Sequence, residues 1–552
     1  MKIINFVLNL LARKALAFER HTKDPAPAQR RLLFKYLSRN KDTEYGRKYG
    51  FSDIRSVEEY QAKVPLIGYE DIRPTIDRMA KGKGNVLTAD KVVFFGITSG
   101  TTGRPKLIPV TKYSRNKKSD LMKLWAYYIN KDHPDILKGK ILAIISPEVK
   151  NFTAAGIPYG PEDGHAYNNL PRLVRGLYVL PYQVFHISDY DARYYAILRI
   201  AMAEDITTIA TLNPSTIVLL CERIPRIQDA IMQDIENGTV NKNLIIEDDI
   251  RAVIEKRLRP NPRRAAELRS ILAQKGKLLP KDFWPNLELV ECWKGGTVKL
   301  YLKELPRYLG DVAFRDFGYL STEARSSVPM NDKGASSVLA IDTNFYEFIP
   351  REDAHKPHRR VLLCDQLEKG KDYLVIVTTP GGLYRYDIDD VITVKGFFNK
   401  APMVEFVQKG LNAVSLTGEK IYESHINESV NRAADKYKVS CAFFSASVQM
   451  DPLPRYVFLI EFNHIPSPEE KKNFLKTIEE ELCKENSEYK DIREQQLLGH
   501  PVLKVVKKGE FEKYRARKIR EGRHDGQFKM PELVNDVEFQ KNFEIEEEIR
   551  IG

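Results

Sequence analysis

Cysteine is sparse in this sequence. Five residues, Cys221, Cys292, Cys364, Cys441 and Cys483, are scattered through 552, and no two form a Cys-x-x-Cys pair. That excludes a disulfide framework and the common zinc modules, and it suits a reducing, cytoplasmic setting. The ten histidines form no His-Glu-x-x-His or similar cluster, so a metal site built from protein ligands alone is not expected. Internal repeats and low-complexity tracts are absent. No apolar run approaches the roughly 20 residues that span a bilayer. The apolar N-terminal stretch, residues 3–12, is interrupted by Asn5 and Asn9 and ends at Arg13-Lys14. Ala15-Leu16-Ala17 mimics a signal-cleavage site. An amphipathic helix, packed on the domain or lying weakly on a membrane surface, accounts for the pattern better.

What is present is ordinary in bulk. Hydrophobic residues make up 43% and charged residues 29%, as in globular proteins generally. The length exceeds what one core organises, so two or more domains are expected. The net charge of +12 is uneven, with 12 Lys/Arg against 4 Asp/Glu in residues 1–50 and a second basic stretch at 504–529. Such faces attract nucleic acid, lipid or anionic substrates. No nucleic-acid-binding module is legible, and a solvated basic face is the simpler reading.

Along the chain, residues 1–90 read as helical, with a turn at 45–51. Residues 92–97 form an apolar strand, and 107–110 resume extended structure. Ser114 stands where a helix running to about 130 would be capped. Strands are expected at 141–145, 205–211 and 287–292, with helices between them. That alternation predicts an α/β architecture with a substantially parallel sheet. The stretch 152–185 is rich in Gly, Pro and aromatics and reads as irregular, which is common for binding elements. Residues 300–420 are strand-rich, including one strand over 382–395. From about 409 the order becomes helix, strand, strand, helix, as in a small α+β domain.

Between the first two strands lies Thr98-Ser99-Gly100-Thr101-Thr102-Gly103-Arg104-Pro105-Lys106. Glycines let successive N–H groups face one anion, hydroxyls add donors and Lys106 adds charge. These are the parts of a phosphate cradle. The spacing is neither that of the Walker A loop nor that of the Gly-x-Gly-x-x-Gly dinucleotide fingerprint. Further on stand Gly318-Tyr319-Leu320-Ser321-Thr322-Glu323, Leu383-Tyr384-Arg385-Tyr386-Asp387-Ile388-Asp389-Asp390-Val391, Gly418-Glu419-Lys420 and Gly526-Gln527-Phe528-Lys529-Met530-Pro531. A tyrosine offers a flat face to a base, and Glu323 offers oxygen to Mg²⁺. A carboxylate at a strand end can grip ribose hydroxyls. Read singly, each is equally an ordinary turn or a surface lysine.

In this order and spacing the strings resemble the acyl-adenylate-forming superfamily. More closely they resemble the Gretchen Hagen family of acyl-acid amido synthetases, over residues 45–531. Trp293-Lys294-Gly295-Gly296, Phe345-Tyr346-Glu347-Phe348-Ile349-Pro350 and Gly396-Phe397-Phe398-Asn399-Lys400-Ala401-Pro402 add to the match. Asp389 stands where that family usually has glycine, and Asp387 where it often has arginine.

The resemblance implies a large N-terminal adenylate-forming domain of mixed sheets and helices, residues 1–408. It implies a small mobile α+β domain over 409–552. The chemistry implied uses ATP and Mg²⁺: adenylation of a small carboxylic acid, then acyl transfer to an amine, expected to be an amino acid. Thr98, Ser99, Gly100, Thr101 and Thr102 would hold the phosphates. Tyr319, Ser321, Thr322, Glu323, Tyr384 and Asp390 would complete the nucleotide site, with Glu323 on the metal. Lys106, Lys420 and Lys529 would be the catalytic cations. An acyl-CoA ligase is the alternative within enzymes. A non-catalytic adenylate-binding or scaffold protein, using its basic face, is the alternative outside them.

Overall fold

The computed structural model describes residues 2–97, 106–295, 299–354, 356, 358–410, 414, 416, 419, 421–450, 453–486, 489–490, 493, 498–521 and 528–551. The expected phosphate-loop residues 98–105 and Lys420 lie outside them. The chain divides into two compact units. The first takes Met1–Leu212, Leu219–Gly295 and Tyr308–Val407, and the second takes Asn213–Val218, Gly296–Arg307 and Gln408–Gly552.

In the first unit the helix Lys2–Thr22 buries Ala15 and Phe18 in the core. His21 Nδ1 lies 2.9 Å from Asp342 Oδ1, and Thr22 O accepts the Lys400 N–H, so the second half of the helix is fastened to the unit. Among the described residues no helix is long and apolar enough to cross a membrane. The stretch read as a turn at 45–51 is a short helix, Glu44–Lys48, capped by the Thr43 hydroxyl, followed by one 3-10 turn.

Strands β1 (Val92–Ile97) and β2 (Leu107–Thr111) pair antiparallel on either side of the loop. The helix Lys112–Asp132 follows directly. Its cap is Thr111 rather than Ser114: Thr111 Oγ1 accepts the Ser114 N–H at 3.1 Å and Ser114 Oγ accepts the Thr111 N–H at 2.9 Å. Both residues are good caps, and the reciprocal pair fixes which one stands outside the helix. β3 (Lys140–Ala143) begins a second sheet, while β4 (Asn151–Phe152) and β5 (Pro158–Gly160) return to the first, in the order β2-β1-β5-β4. The stretch 152–185 is thus less irregular than expected. Gly and Pro punctuate it into β4 and β5, the helices Glu162–Asn168 and Arg172–Arg175, and a 3-10 turn, each too short to show a period.

β6 (Ile206–Ala210), β7 (Leu289–Glu291) and β8 (Ala313–Arg315) join β3 in the one sheet that is parallel throughout, β3-β6-β7-β8. The first sheet is mixed, since β1 pairs with β5 parallel and with β2 antiparallel. The third holds β9 (Ser327–Val328), β10 (Ser337–Leu339), β11 (Phe345–Pro350), β12 (Asp372–Thr378), β13 (Tyr386–Phe398) and β14 (Ala401–Lys409), in the order β11-β12-β13-β14-β10-β9.

The second unit builds β15 (Cys441–Gln449), β16 (Arg455–Phe462), β17 (Val502–Val506) and β18 (Ile545–Arg550) into one sheet with the helices Glu423–Tyr437 and Pro468–Glu485. Two earlier segments of the chain belong to it. Tyr301 meets Phe443 edge-on at 5.5 Å, and the buried Arg515 donates to Thr216 Oγ1.

Candidate active site

Ligands of α/β sheets bind beyond the carboxyl ends of the parallel strands. At the ends of β7 and β8 the chain is pinned by one buried carboxylate. Asp316 Oδ2 accepts the Lys294 N–H at 2.6 Å, and its Oδ1 accepts the Gly318 N–H. Burial pushes Asp316 up to about 6, against the pull of those N–H donors. Gly318 has φ +83°, and a Cβ there would stand 2.9 Å from Ser327 Oγ, so the position requires glycine.

The chain then folds into a tight turn. The N–H groups of Ser326 and Ser327 donate to Tyr319 O, and Ser321 N–H donates to Ala324 O at 2.8 Å. Ser321 Oγ accepts the Ala324 N–H, so this side chain is used within the turn. Thr322 and Glu323 sit at the tip. The tip rests on the last turn-ward residues of β1: Thr322 Oγ1 is 3.4 Å from Ile97 O, and a Cβ on Gly96 would stand 2.6 Å from Thr322 Cγ2. Lys118 Nζ donates to Thr322 O at 3.0 Å and pairs with Glu162. Glu323 is buried, yet its carboxylate has no hydrogen bond or ion pair among the described residues.

Asp390 reaches the same place through a bulge. Ile376 pairs with Asp387 and Leu374 with Val391, so Val375 alone opposes Ile388, Asp389 and Asp390. A bulge re-aims a side chain, and here Asp390 Oδ2 accepts the Tyr319 hydroxyl at 2.8 Å. The family's glycine position explains itself. Asp389 has φ +64°, a left-handed conformation glycine adopts freely, and aspartate is among the few residues that tolerate it. Its N–H donates to Asp387 Oδ1 at 2.8 Å, which closes the turn. Tyr319 itself is 6% exposed and stacks on Phe406 at 6.1 Å, so in this structure its evident task is to hold Asp390.

Lys106 ends the loop and is half-buried. Its ammonium lies 5.5 Å from the Tyr69 ring centroid and has no hydrogen bond or ion pair among the described residues.

Two expected residues stand elsewhere. Tyr384 is fully buried, stacked on Tyr45 and donating to Leu87 O at 2.9 Å, so its hydroxyl is turned into the core. Lys529 belongs to the second unit, 3.6 Å from both Glu423 Oε2 and Glu532 Oε1. Thr98, Ser99, Gly100, Thr101, Thr102 and Lys420 are outside the described residues. Sequence reasoning passed over Gly96, Lys118, Asp316 and Tyr69. Gly96 alone carried a local signal, since glycine inside a strand marks a close approach.

Three family models cover most of the chain: the GH3 family N-terminal domain at residues 15–314, the central domain at 337–409 and the C-terminal domain at 424–538. Similar curated proteins include the jasmonoyl–L-amino acid synthetase JAR4 of Nicotiana attenuata, 25% identical over 94% of this chain and 92% of that protein. The indole-3-acetic acid-amido synthetase GH3.3 of Arabidopsis thaliana is 24% identical over 95% and 92%. Among solved structures, the GH3.15 acyl acid amido synthetase superposes with a TM-score of 0.86 at 24% identity, over 97% of this chain and 96% of that one. In its sequence over most of its length, and in a fold shared across nearly all of it, the chain belongs to the GH3 family.

Proposed function

We propose that this GH3-family ligase adenylates a carboxylic acid with ATP and passes the acyl group to the amine of an amino acid. In the first step a carboxylate oxygen of the acid attacks the α-phosphorus, and the bond to pyrophosphate breaks. A carboxylate cannot acylate an amine because its leaving group would be oxide; the acyl-adenylate can, because AMP leaves. In the second step the amine nitrogen attacks the acyl carbon, AMP departs, and the nitrogen loses a proton.

The observation that carries this reading is the convergence at the Thr322–Glu323 tip. A buried carboxylate with no hydrogen bond or ion pair among the described residues, a hydroxyl against the end of β1, and the Asp390–Tyr319 pair all lie in one unit whose phosphate loop ends in a lysine that likewise has none among them. Lys106 offsets charge on the phosphoryl oxygens. Asp390, oriented by Tyr319, accepts the ribose hydroxyls. Among the described residues no three His, Cys, Asp or Glu side chains converge as a metal site. We assign Glu323, whose carboxylate makes no hydrogen bond or ion pair among the described residues, as the chain's donor for Mg²⁺, with phosphate oxygens completing the ion's shell, as is usual for this metal. Bound there, Mg²⁺ would neutralise phosphate charge.

For the acid, the support is an aromatic corner beside the same turn. Trp125 stacks on Phe317 at 5.2 Å, and the Arg325 guanidinium lies 5.8 Å from the Trp125 ring centroid. Such a corner suits an aromatic or otherwise apolar acid, with the cation near its carboxylate.

The test is acid-dependent exchange of pyrophosphate into ATP across an acid library, followed by mass analysis of products with amino acids or coenzyme A. Exchange that requires an acid, with an amide as product, is expected. A thioester product would replace the amine by coenzyme A. Binding of MgATP without exchange for any acid would remove the catalytic reading.

A further inference from the structure

The lysine end of the phosphate loop is fixed by a residue 38 positions upstream. Tyr69 opens the helix Tyr69–Ala80 and is buried. Its hydroxyl accepts the Leu107 N–H at 2.6 Å and lies 3.3 Å from the Leu107 carbonyl, to which it donates. β2 is the edge strand of its sheet. Among the described residues no strand lies beside the outward backbone groups of Leu107, and one phenol hydroxyl satisfies both. The ring of the same tyrosine lies under the Lys106 ammonium. Tyr69 thus determines where the loop re-enters the sheet and where its cation stands.

The segment leading into Tyr69 is tied to the other half of the site. Ile67 N–H donates to Arg385 O at 3.1 Å, and Asp387 N–H donates to Ile67 O at 2.8 Å. Arg385 Nη1 donates to Gln61 O at 2.7 Å and to Val64 O at 2.8 Å. Residues 64–69 therefore form a strap. One end grips the strand that carries Asp390, and the other grips Leu107.

We infer that Tyr69 is a positioning residue for adenylation. It aims Lys106 at the phosphates of ATP, and the strap keeps that cation in register with the Asp390 bulge. Tyr69 touches no substrate; it acts through Lys106 and Leu107. The inference rests on the function proposed above.

The experiment compares Tyr69→Phe, which keeps the ring and loses the hydroxyl, with Tyr69→Leu, which loses both. Lys106→Ala and the double variant Tyr69→Leu/Lys106→Ala complete the set, with each protein's melting temperature recorded. Tyr69→Phe is expected to raise the KM for MgATP in pyrophosphate exchange by about tenfold, the scale of one lost hydrogen bond, while the KM for the acid holds. Tyr69→Leu should also lower kcat, and Phe should rescue that part. In the Lys106→Ala background, Tyr69→Leu should cost clearly less than in the wild type, because the cation it aims is gone and only its hold on Leu107 remains to be lost. Losses that add in the double variant, or that follow only the melting temperature, would overturn the inference. So would an equal rise in both KM values. If the wild type exchanges with no acid, the proposed reaction fails. MgATP titration then tests Tyr69 by itself: weaker binding in Tyr69→Phe supports it, and unchanged binding overturns it.

Discussion

At the scale of single residues, two neighbours in one motif have opposite fates. Arg385 has φ +45°, which interrupts the strand alternation just before β13 starts at Tyr386. Tyr384 is left in the aromatic cluster of Tyr45 and Phe51, while the bulge turns Asp390 toward Tyr319. Their substitutions should therefore separate. Asp390→Asn should raise the KM for MgATP by about tenfold or more, since an oriented carboxylate acceptor is lost. Tyr384→Phe should leave that KM unchanged and cost about 1 kcal/mol of stability, for the bond to Leu87 O. Exchange kinetics and chemical denaturation read the two effects.

A second residue-scale effect concerns pH. Glu291, at the end of β7, is pushed up by burial to about 8, with Arg315 and Arg325 pulling it back. A carboxyl whose folded pKa exceeds its unfolded value is favoured as the protonated form. Its stabilising contribution is full below about 4.5 and is lost as pH rises toward 8. Wild-type stability should carry a falling component across that window, with a slope of up to about 1.4 kcal/mol per pH unit. In Glu291→Gln that component should be missing. Denaturation midpoints of both proteins from pH 5 to 8 would show it, and parallel curves would refute it.

At the scale of elements, the close approach of β1 and the Tyr319–Ser326 turn is the joint on which the site depends. Gly96→Ala places a methyl 2.6 Å from Thr322 Cγ2. Thr322 must then move off Ile97 O. Overpacking of this kind costs about 1–3 kcal/mol, and exchange should fall with it. Gly96→Ala/Thr322→Ser removes the offending methyl but keeps the hydroxyl, so it should recover most of both losses. Failure of that rescue would mean that the glycine serves another contact.

The same joint shows what was legible in the sequence. β1 and β2 are apolar runs with turn chemistry between them, and local pattern suffices for such strands. The order of the Thr98, Tyr319 and Asp390 strings pointed to the family that the domain matches establish. Contacts that join distant segments left no local trace. Tyr69 occupies a standard apolar position of a short helix, and its bond to Leu107 exists only after folding. Asp316 reads as one more acid between aromatics. The facing of Tyr384 depended on a φ angle that no periodicity encodes. The Thr111–Ser114 box was misread by one turn because two competent caps stand three residues apart.

At the scale of the whole molecule, the proposed reaction has two halves, and the expected catalytic lysines are divided between the two units. Lys106 belongs to the first unit, with no ionic partner among the described residues. Lys529 belongs to the second and is held between Glu423 and Glu532, with Asn427 Nδ2 donating to Glu532 Oε2 at 2.7 Å. Desolvation pulls the half-exposed Lys529 down, but Glu532 and Glu423 raise its pKa overall, so it stays cationic through neutral pH. The catalytic role expected of Lys529 in adenylation requires its ammonium to be free of those carboxylates. Aminolysis of a finished acyl-adenylate makes no such demand, because the leaving group is then AMP. Lys529→Ala should therefore cut pyrophosphate exchange by about a hundredfold, the scale of one transition-state donor. Amide formation from a supplied synthetic acyl-adenylate should stay within about threefold of wild type, below the loss expected from even one ordinary hydrogen bond. Equal losses in both half-reactions would make Lys529 a structural partner of Glu423 and Glu532. Loss of aminolysis alone would assign it to the amine.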